Sequence, residues 1–180
     1  MLENRSELER VLREPSILGA VFARHAYGMR RWVDLFSVRI PDIDDPYLTE
    51  LVAGIVAINA RHSVLFRERA AAHGVDPDAY VCPPEGELIY ERLAPLNGDE
   101  TLAYALGSLE HFADLLALYA EAAQNDRDAA VLASVRADND AAIIRLREMI
   151  RQPVAPAAAA AHELYRLREL AETPLYAGRG

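Results

Sequence analysis

The sequence predicts an all-α protein. Apolar residues recur at helical spacing in almost every long segment, and no segment alternates β-branched with polar residues over the length of a strand. Helix start and stop signals punctuate this pattern, such as Asp45 followed by Pro46, and Gly74 after a long apolar stripe. With 180 residues, 52% of them apolar, the chain is long enough to form one domain with its own core.

The helices can be assigned in order along the chain. Ser6 and Glu9 form a capping box that starts a short helix, which Pro15 interrupts. The apolar spacing then predicts four long helices at about 16–39, 46–73, 99–124 and 128–151, a short helical piece at 85–93, and a last amphipathic helix at about 155–171.

The lengths of the connections predict how the long helices are arranged. Short turns follow the first and third long helices, whereas about 24 residues separate the second from the third. A chain of that length can run back along a helix about 39 Å long. We therefore expect a single domain, 1–180, that contains a four-helix bundle with one long crossover and a core at about 16–151.

Composition and charge exclude several classes of function. The 28 acidic and 19 basic residues give a formal charge of −9, which disfavours binding to nucleic-acid phosphates. The single cysteine, Cys82, allows neither an internal disulfide nor a cysteine-based metal site, and we expect a packed or partly exposed thiol rather than a nucleophile. Neither an export signal nor a membrane span is predicted, so we expect a cytoplasmic protein, whose final helix and outer apolar residues would suit a homodimer.

Polar residues interrupt the apolar stripe of each long helix near its middle. They are His25 on the first helix, Asn59 and His62 on the second, Glu110 on the third and Asn139 on the fourth. Buried polar groups are costly unless they are paired. The four helices are therefore expected to share an internal polar site.

Two segments around these residues resemble those of a known family. The segment NARHSVLFRERA resembles the Glu-x-x-His segment of ferritin-like di-iron carboxylate proteins, with Asn59 at the glutamate position and His62 at the histidine position. The segment SLEHFADLLALY is similar to the family's single-glutamate helix, with Glu110 matching. The likeness covers about 16–151 and is greater to aldehyde-deformylating and related oxygenases than to iron-storage ferritin. It implies a ferritin-like bundle and oxidoreductase chemistry on a small apolar or aromatic substrate.

The sequence departs from that family at most of the metal ligands. His25 stands at the glutamate position of the first helix, Asn59 and Asn139 at those of the two Glu-x-x-His segments, and Ala142 at the second histidine position. Glu110 is the one matching carboxylate that remains. Because two divalent ions need several anionic oxygens, a conventional di-iron centre is not expected.

Three functional hypotheses follow. In the first, a single Fe or Mn ion is held by His25, His62 and Glu110, with Glu110 and His62 also acting in catalysis, while Asn59, Asn139 and, after a register shift, Asp138 orient ligand or water. In the second, these residues form a closed hydrogen-bonded network in a non-catalytic structural or interaction module. In the third, they line a metal-free pocket for a small molecule.

A second architecture also places histidines on three helices. DinB-like bundles hold a metal with three histidines, and His25, His62 and His111 would correspond to them. The His-x-x-x-His pair typical of that family is absent from this sequence.

Overall fold

The computed structural model describes residues 5–96 and 98–150, and these residues form helices without any strand. The prediction of an all-α protein is confirmed. The helices are α1 (Arg5–Leu12), α2 (Pro15–Ser37), α3 (Pro46–Ala72), α4 (Pro84–Leu93), α5 (Gly98–Ala122) and α6 (Asp126–Met149). Short 3-10 turns lie at Ile40–Asp42 and Pro77–Ala79. The helix predicted at about 155–171 lies outside the described residues.

Capping residues explain why the long helices begin and end where they do. The Asp45 side chain accepts hydrogen bonds from the backbone N–H groups of Tyr47 and Leu48, which starts α3. Gly74 follows the end of α3 with a φ of 76°, a conformation that favours glycine. The Asn125 side chain caps α6 by accepting from the N–H of Asp128.

Helices α2 and α3 pack closely against each other in opposite directions. Near the start of α2, Gly19 lies against His73, which follows the end of α3. Further along, the Ser63 hydroxyl donates a hydrogen bond of 2.8 Å to the carbonyl of Ala26. Early residues of α2 therefore meet late residues of α3, and the pair is antiparallel.

The remaining neighbours among the long helices are also antiparallel. Between α2 and α5, His25 contacts Tyr119 and Trp32 contacts Tyr104. Between α3 and α6, both His73 and Arg69 reach Asp128 near the start of α6, whereas His62 meets a later residue of that helix. Helices α5 and α6 are joined by a tight turn and pack along their length. Each long helix therefore packs against two antiparallel neighbours.

The core consists of two apolar clusters with polar residues between them. One cluster lies toward the start of α2 and includes Phe22, Phe66, Leu116 and Leu132. The other lies toward the end of α2 and includes Trp32, Phe36, Val52, Leu102 and Leu146. Buried His62 and Asn139 lie where the two clusters meet. The interior of the protein is therefore polar at mid-height, as the sequence pattern predicted.

Helix α3 has an unusually apolar composition for a helix that carries several ion pairs. Of the described helices, it alone is long and apolar enough to cross a membrane, and 28% of its most apolar stretch is buried. The core helices of soluble proteins meet the same criterion. The absence of a membrane span therefore stays a prediction.

Candidate functional site

Glu110 lies at the surface between α5 and α6, and the expectation that it faces the interior is wrong. Its carboxylate accepts hydrogen bonds from Nη2 of Arg147 at 2.6 Å and from Nε at 3.0 Å. The Glu110 side chain is 41% exposed. Glu110 is therefore one half of an ion pair on the outer surface.

The rotation of α5 about its own axis explains why Glu110 lies at the surface and not in the interior. The apolar stripe inferred from the sequence runs through Leu106, Glu110 and Ala113, whereas the buried stripe includes Leu109 and Phe112 instead. Apolar residues occur on most sides of α5, so its composition does not distinguish the two stripes. The packing of α5 against α6 determines which of the two stripes is buried.

His25 is buried and engaged at both ring nitrogens. Its Nδ1 lies 3.0 Å from Nη1 of Arg24, and its Nε2 lies 2.9 Å from the hydroxyl of Tyr119. The same Nη1 lies 3.4 Å from Nε2, so the guanidinium approaches the ring beside both nitrogens. The ring packs against Phe66 and Phe112. This imidazole is therefore enclosed by aromatic side chains and hydrogen-bonded to Tyr119.

His62 pairs with Asp138, a carboxylate that the sequence offered only through a register shift. The His62 Nε2 lies 2.8 Å from Oδ2 of Asp138, and Arg61 donates to the same oxygen. Burial lowers the pKa of His62, and the hydrogen bond to Asp138 opposes this only in part. Burial acts to raise the pKa of Asp138, but the hydrogen bonds from His62 and Arg61 outweigh it and lower the pKa. At neutral pH the pair therefore consists of a neutral imidazole and a carboxylate.

The two asparagines are held mainly by backbone carbonyls. Asn59 donates to the carbonyl of Ile55 on its own helix, and buried Asn139 donates to the carbonyl of Leu109 on α5, both at 2.9 Å. Both residues border a central cavity of about 20 Å³ that His62 also lines. The amide oxygen of Asn139 has no hydrogen-bond partner among the described residues. A cavity of this size has room for one water molecule and for no substrate.

The residues proposed as metal ligands do not converge. His25, His62 and Glu110 are each hydrogen-bonded to a different partner, two of them in the interior and one at the surface. Over residues 5–96 and 98–150, no group of three or more His, Cys, Asp or Glu is placed to hold a metal ion. The three histidines His25, His62 and His111, which a DinB-like site would need, therefore do not form such a group either. The donors present among the described residues therefore do not fit the single Fe or Mn ion expected from the sequence.

The burial of His62 predicts a pH dependence of stability. Because the folded protein lowers the pKa of His62 below its ordinary value of 6.5, the unfolded chain takes up a proton at higher pH than the folded chain. The free energy of unfolding should therefore fall as the pH drops through 6.5 toward the folded pKa, by up to about 1.4 kcal/mol per pH unit. Urea titrations across this range measure the slope.

The variant His62→Gln isolates this contribution. Glutamine keeps a hydrogen-bond donor for Asp138 but does not titrate. The stability of the variant should decline less steeply than that of the wild type below pH 6.5. Parallel profiles for the two proteins would show that His62 is not the group responsible.

Sequence reasoning missed a second buried polar cluster, where α3 ends and α6 begins. The carboxylate of Asp128 is fully buried and accepts from Nε of Arg69 at 2.6 Å. His73 lies 2.8 Å from the other carboxylate oxygen, and Asn125 donates to that oxygen at 2.6 Å. Arg69 and His73 are four residues apart, so helical spacing places them on one side, but it does not identify Asp128 as their partner.

A small cavity of about 70 Å³ lies between α2, α4 and α5, beside His25. Trp32, Tyr90 and Tyr104 are among its aromatic lining residues. At its edge, burial raises the pKa of the Cys82 thiol to about 11, and the neighbouring Glu87 adds to the effect. The thiol is therefore protonated at neutral pH, which agrees with the expectation of a packed thiol rather than a nucleophile.

A much larger cavity, of about 410 Å³, lies where α2 ends and where α3 and α5 begin. We call it the end cavity; its apolar lining consists of Phe36, Ile43, Leu48, Val52, Leu96 and Leu102, and its polar lining of Arg39, Asp42, Asp44, Asp45 and Thr101. The Thr101 side chain is on the buried stripe of α5, and its hydroxyl has no hydrogen-bond partner among the described residues. None of these residues was a candidate for a functional site from the sequence, in which the acidic segment was interpreted as a turn and a helix start.

Comparisons with known proteins do not assign the chain to a family. No protein-family model matches it, and neither a curated protein nor a solved structure has significant similarity to it.

Proposed function

We propose that this chain is a metal-free ferritin-like protein that binds a small apolar molecule in the end cavity. The interior polar residues serve packing and fold specificity, and the ligand site lies at one end of the helices. In this proposal the protein is a binding protein and not an oxidoreductase. A cytoplasmic location and a possible homodimer are part of the same proposal, as the sequence suggests.

The arrangement of the long helices supports the ferritin-like part of the proposal. Helices α2 and α3 are antiparallel, and so are α5 and α6, while α2 also lies antiparallel to α5 and α3 to α6. A bundle of this kind needs a long connection between its second and third helices. The segment between α3 and α5, which includes α4, provides that connection.

The hydrogen bonds of the interior favour a structural role for its polar residues over an active site. His25 and His62 each have a specific partner, and the central cavity admits only one water molecule. The 70 Å³ cavity beside His25 is also well below the size usual for small-molecule sites, about 300–1,000 Å³. The interior therefore offers little room for a substrate next to the candidate catalytic residues.

The observation that carries the proposal is the size and lining of the end cavity. At about 410 Å³, it falls within the range of small-molecule sites. Phe36, Val52 and Leu102 form a buried apolar floor. Ligand sites typically combine such walls with a few polar groups that orient the ligand, and Thr101 is placed to act as one of them.

Titration with the neutral, polarity-sensitive dye prodan tests this function. Wild-type protein should bind one dye per chain, with a Kd on the order of 10–100 μM for a ligand of this size. Leu48→Trp places an indole in the cavity and should weaken binding at least about tenfold, since the apolar space is then filled.

A matched variant on the same helix serves as the control. Val64 is 55% exposed and does not line the end cavity, so Val64→Trp should leave dye binding unchanged. Equal binding by wild type and Leu48→Trp would contradict the assignment of the site, as would an absence of saturable binding to the wild type.

A further inference from the structure

We infer that the ligand of the end cavity is an amphiphilic amine, whose apolar chain lies on the cavity floor and whose ammonium group lies at an acidic mouth. This inference rests on the proposed function and specifies its ligand class. It follows from the distribution of charge around the cavity and from one buried hydroxyl on its wall.

The mouth of the cavity is formed by a short acidic segment. Asp42, Asp44 and Asp45 lie between α2 and the first turn of α3, and all three are exposed residues that line the cavity. One carboxylate oxygen of Asp45 is engaged in capping α3. The other two aspartates have no ion-pair partner among the described residues. Three carboxylates within four residues therefore border one opening.

Arg39 is the one cation among the described lining residues, and its guanidinium is already engaged. It donates to the carbonyl of Leu35 at 2.6 Å and to those of Leu93 and Ala94 at 2.7 and 3.0 Å. These bonds hold it against the end of α4. With one arginine and three aspartates, the lining is net negative, which favours a cationic ligand group over an anionic one.

Thr101 indicates a second polar atom on the ligand. The side chain is only 3% exposed, it lines the cavity, and its hydroxyl has no partner among the described residues. A buried hydroxyl is unfavourable unless it is hydrogen-bonded. A hydroxyl or carbonyl oxygen on the buried part of the amine would provide the missing bond. Thr101 and the acidic mouth thus fix the two ends of the ligand.

Competition with bound prodan tests whether the charge of a ligand affects its affinity beyond its apolar contacts. Octylamine, 1-octanol and octanoate have the same chain length and differ in charge at pH 7. Octylamine should bind about tenfold more tightly than 1-octanol, with octanoate weakest, and the preference should shrink as salt rises from low concentration to about 1 M. Octylamine that binds no more tightly than 1-octanol would overturn the amine inference.

Two double variants with the same change in net charge test whether the acidic mouth causes the preference for octylamine over 1-octanol. Asp42→Asn combined with Asp44→Asn leaves the helix cap at Asp45 intact and should bring octylamine to within about twofold of 1-octanol. Asp114→Asn combined with Asp126→Asn makes the same change in net charge at exposed positions outside the cavity, and should keep the preference. Loss of the preference in both double variants, or in neither, would overturn the role of the acidic mouth.

A single substitution tests whether the Thr101 hydroxyl contacts the ligand. Thr101→Val keeps the shape of the side chain and removes its hydroxyl. It should weaken binding of 8-amino-1-octanol about fivefold while leaving octylamine within twofold of its wild-type affinity. Equal effects on both amines would overturn the contact with Thr101.

The outcomes distinguish the inference from the function on which it rests. Failure of the amine preference, with prodan and 1-octanol still bound, would overturn the ligand class and leave the binding function in place. Failure of prodan and of all three octyl compounds to bind would overturn the proposed function itself.

Discussion

Asp128→Ala is expected to destabilise the protein by about 3–5 kcal/mol, because it removes the partner of a buried charge. The Asp128 carboxylate is fully buried and accepts hydrogen bonds from Arg69 and from Asn125, while His73 lies at hydrogen-bond distance. Removing it leaves the largely buried guanidinium of Arg69 without its counter-charge. Urea unfolding followed by circular dichroism measures the loss.

The neighbouring residue Asp126 provides the control. It lies in the same first turn of α6, is exposed, and contributes only its interaction with the helix dipole. Asp126→Ala should therefore cost less than about 1 kcal/mol. A loss of this small size in Asp128→Ala would mean that the carboxylate is not buried against Arg69 in solution.

Two glycine-to-alanine substitutions are expected to change stability in opposite directions. A Cβ atom at Gly19 would lie 2.7 Å from Cβ of His73 and 2.8 Å from Cγ2 of Val75. These distances are far below a normal contact, so α2 would have to shift away from the end of α3. Gly19→Ala should destabilise the protein by about 1–3 kcal/mol.

Gly54, in the interior of α3, has open space around the position of a Cβ atom. Alanine is a better helix former than glycine there, so Gly54→Ala should stabilise the protein by up to about 1 kcal/mol. Thermal unfolding of both variants is the measurement. Shifts of the same sign in the two variants would contradict the close approach of α2 to the end of α3.

The positions of the helices could be predicted from the sequence because local signals determine them. Each predicted long helix begins and ends within two residues of its observed limits. Asp45 and Gly74 act within a few residues of themselves, so a linear pattern is enough to find them. The burial of His62 and of Asn139 was also predicted, since each lies in phase with the apolar residues that its helix buries.

The failure at Glu110 has a physical cause in the composition of α5. Apolar residues on most sides of this helix leave its inward face undetermined until α6 is placed. Asp138 and Asp128 could not be predicted for a different reason, because their partners are distant in the sequence. Each is a carboxylate on α6 that pairs with residues of α3 some 55–77 positions earlier in the chain, and helix periodicity contains no information on such pairs.

The end cavity is a product of tertiary packing alone. Phe36, Val52 and Leu102 belong to three different helices, and each would be expected in an ordinary core. The space between them arises because the ends of these helices do not fill it. Thr101 is a polar residue on the buried stripe of α5, but Ser108 is another, so the sequence alone does not mark the site.

The location of a bound apolar ligand tests the central claim most directly. Methyl chemical shifts of isotopically labelled protein can be recorded while prodan is titrated into the sample. The proposed function predicts that the largest changes occur at Val52, Leu48 and Leu102, which line the end cavity. Changes centred instead on Met29 and Leu109, beside the interior polar residues, would contradict it and return the functional site to the middle of the helices.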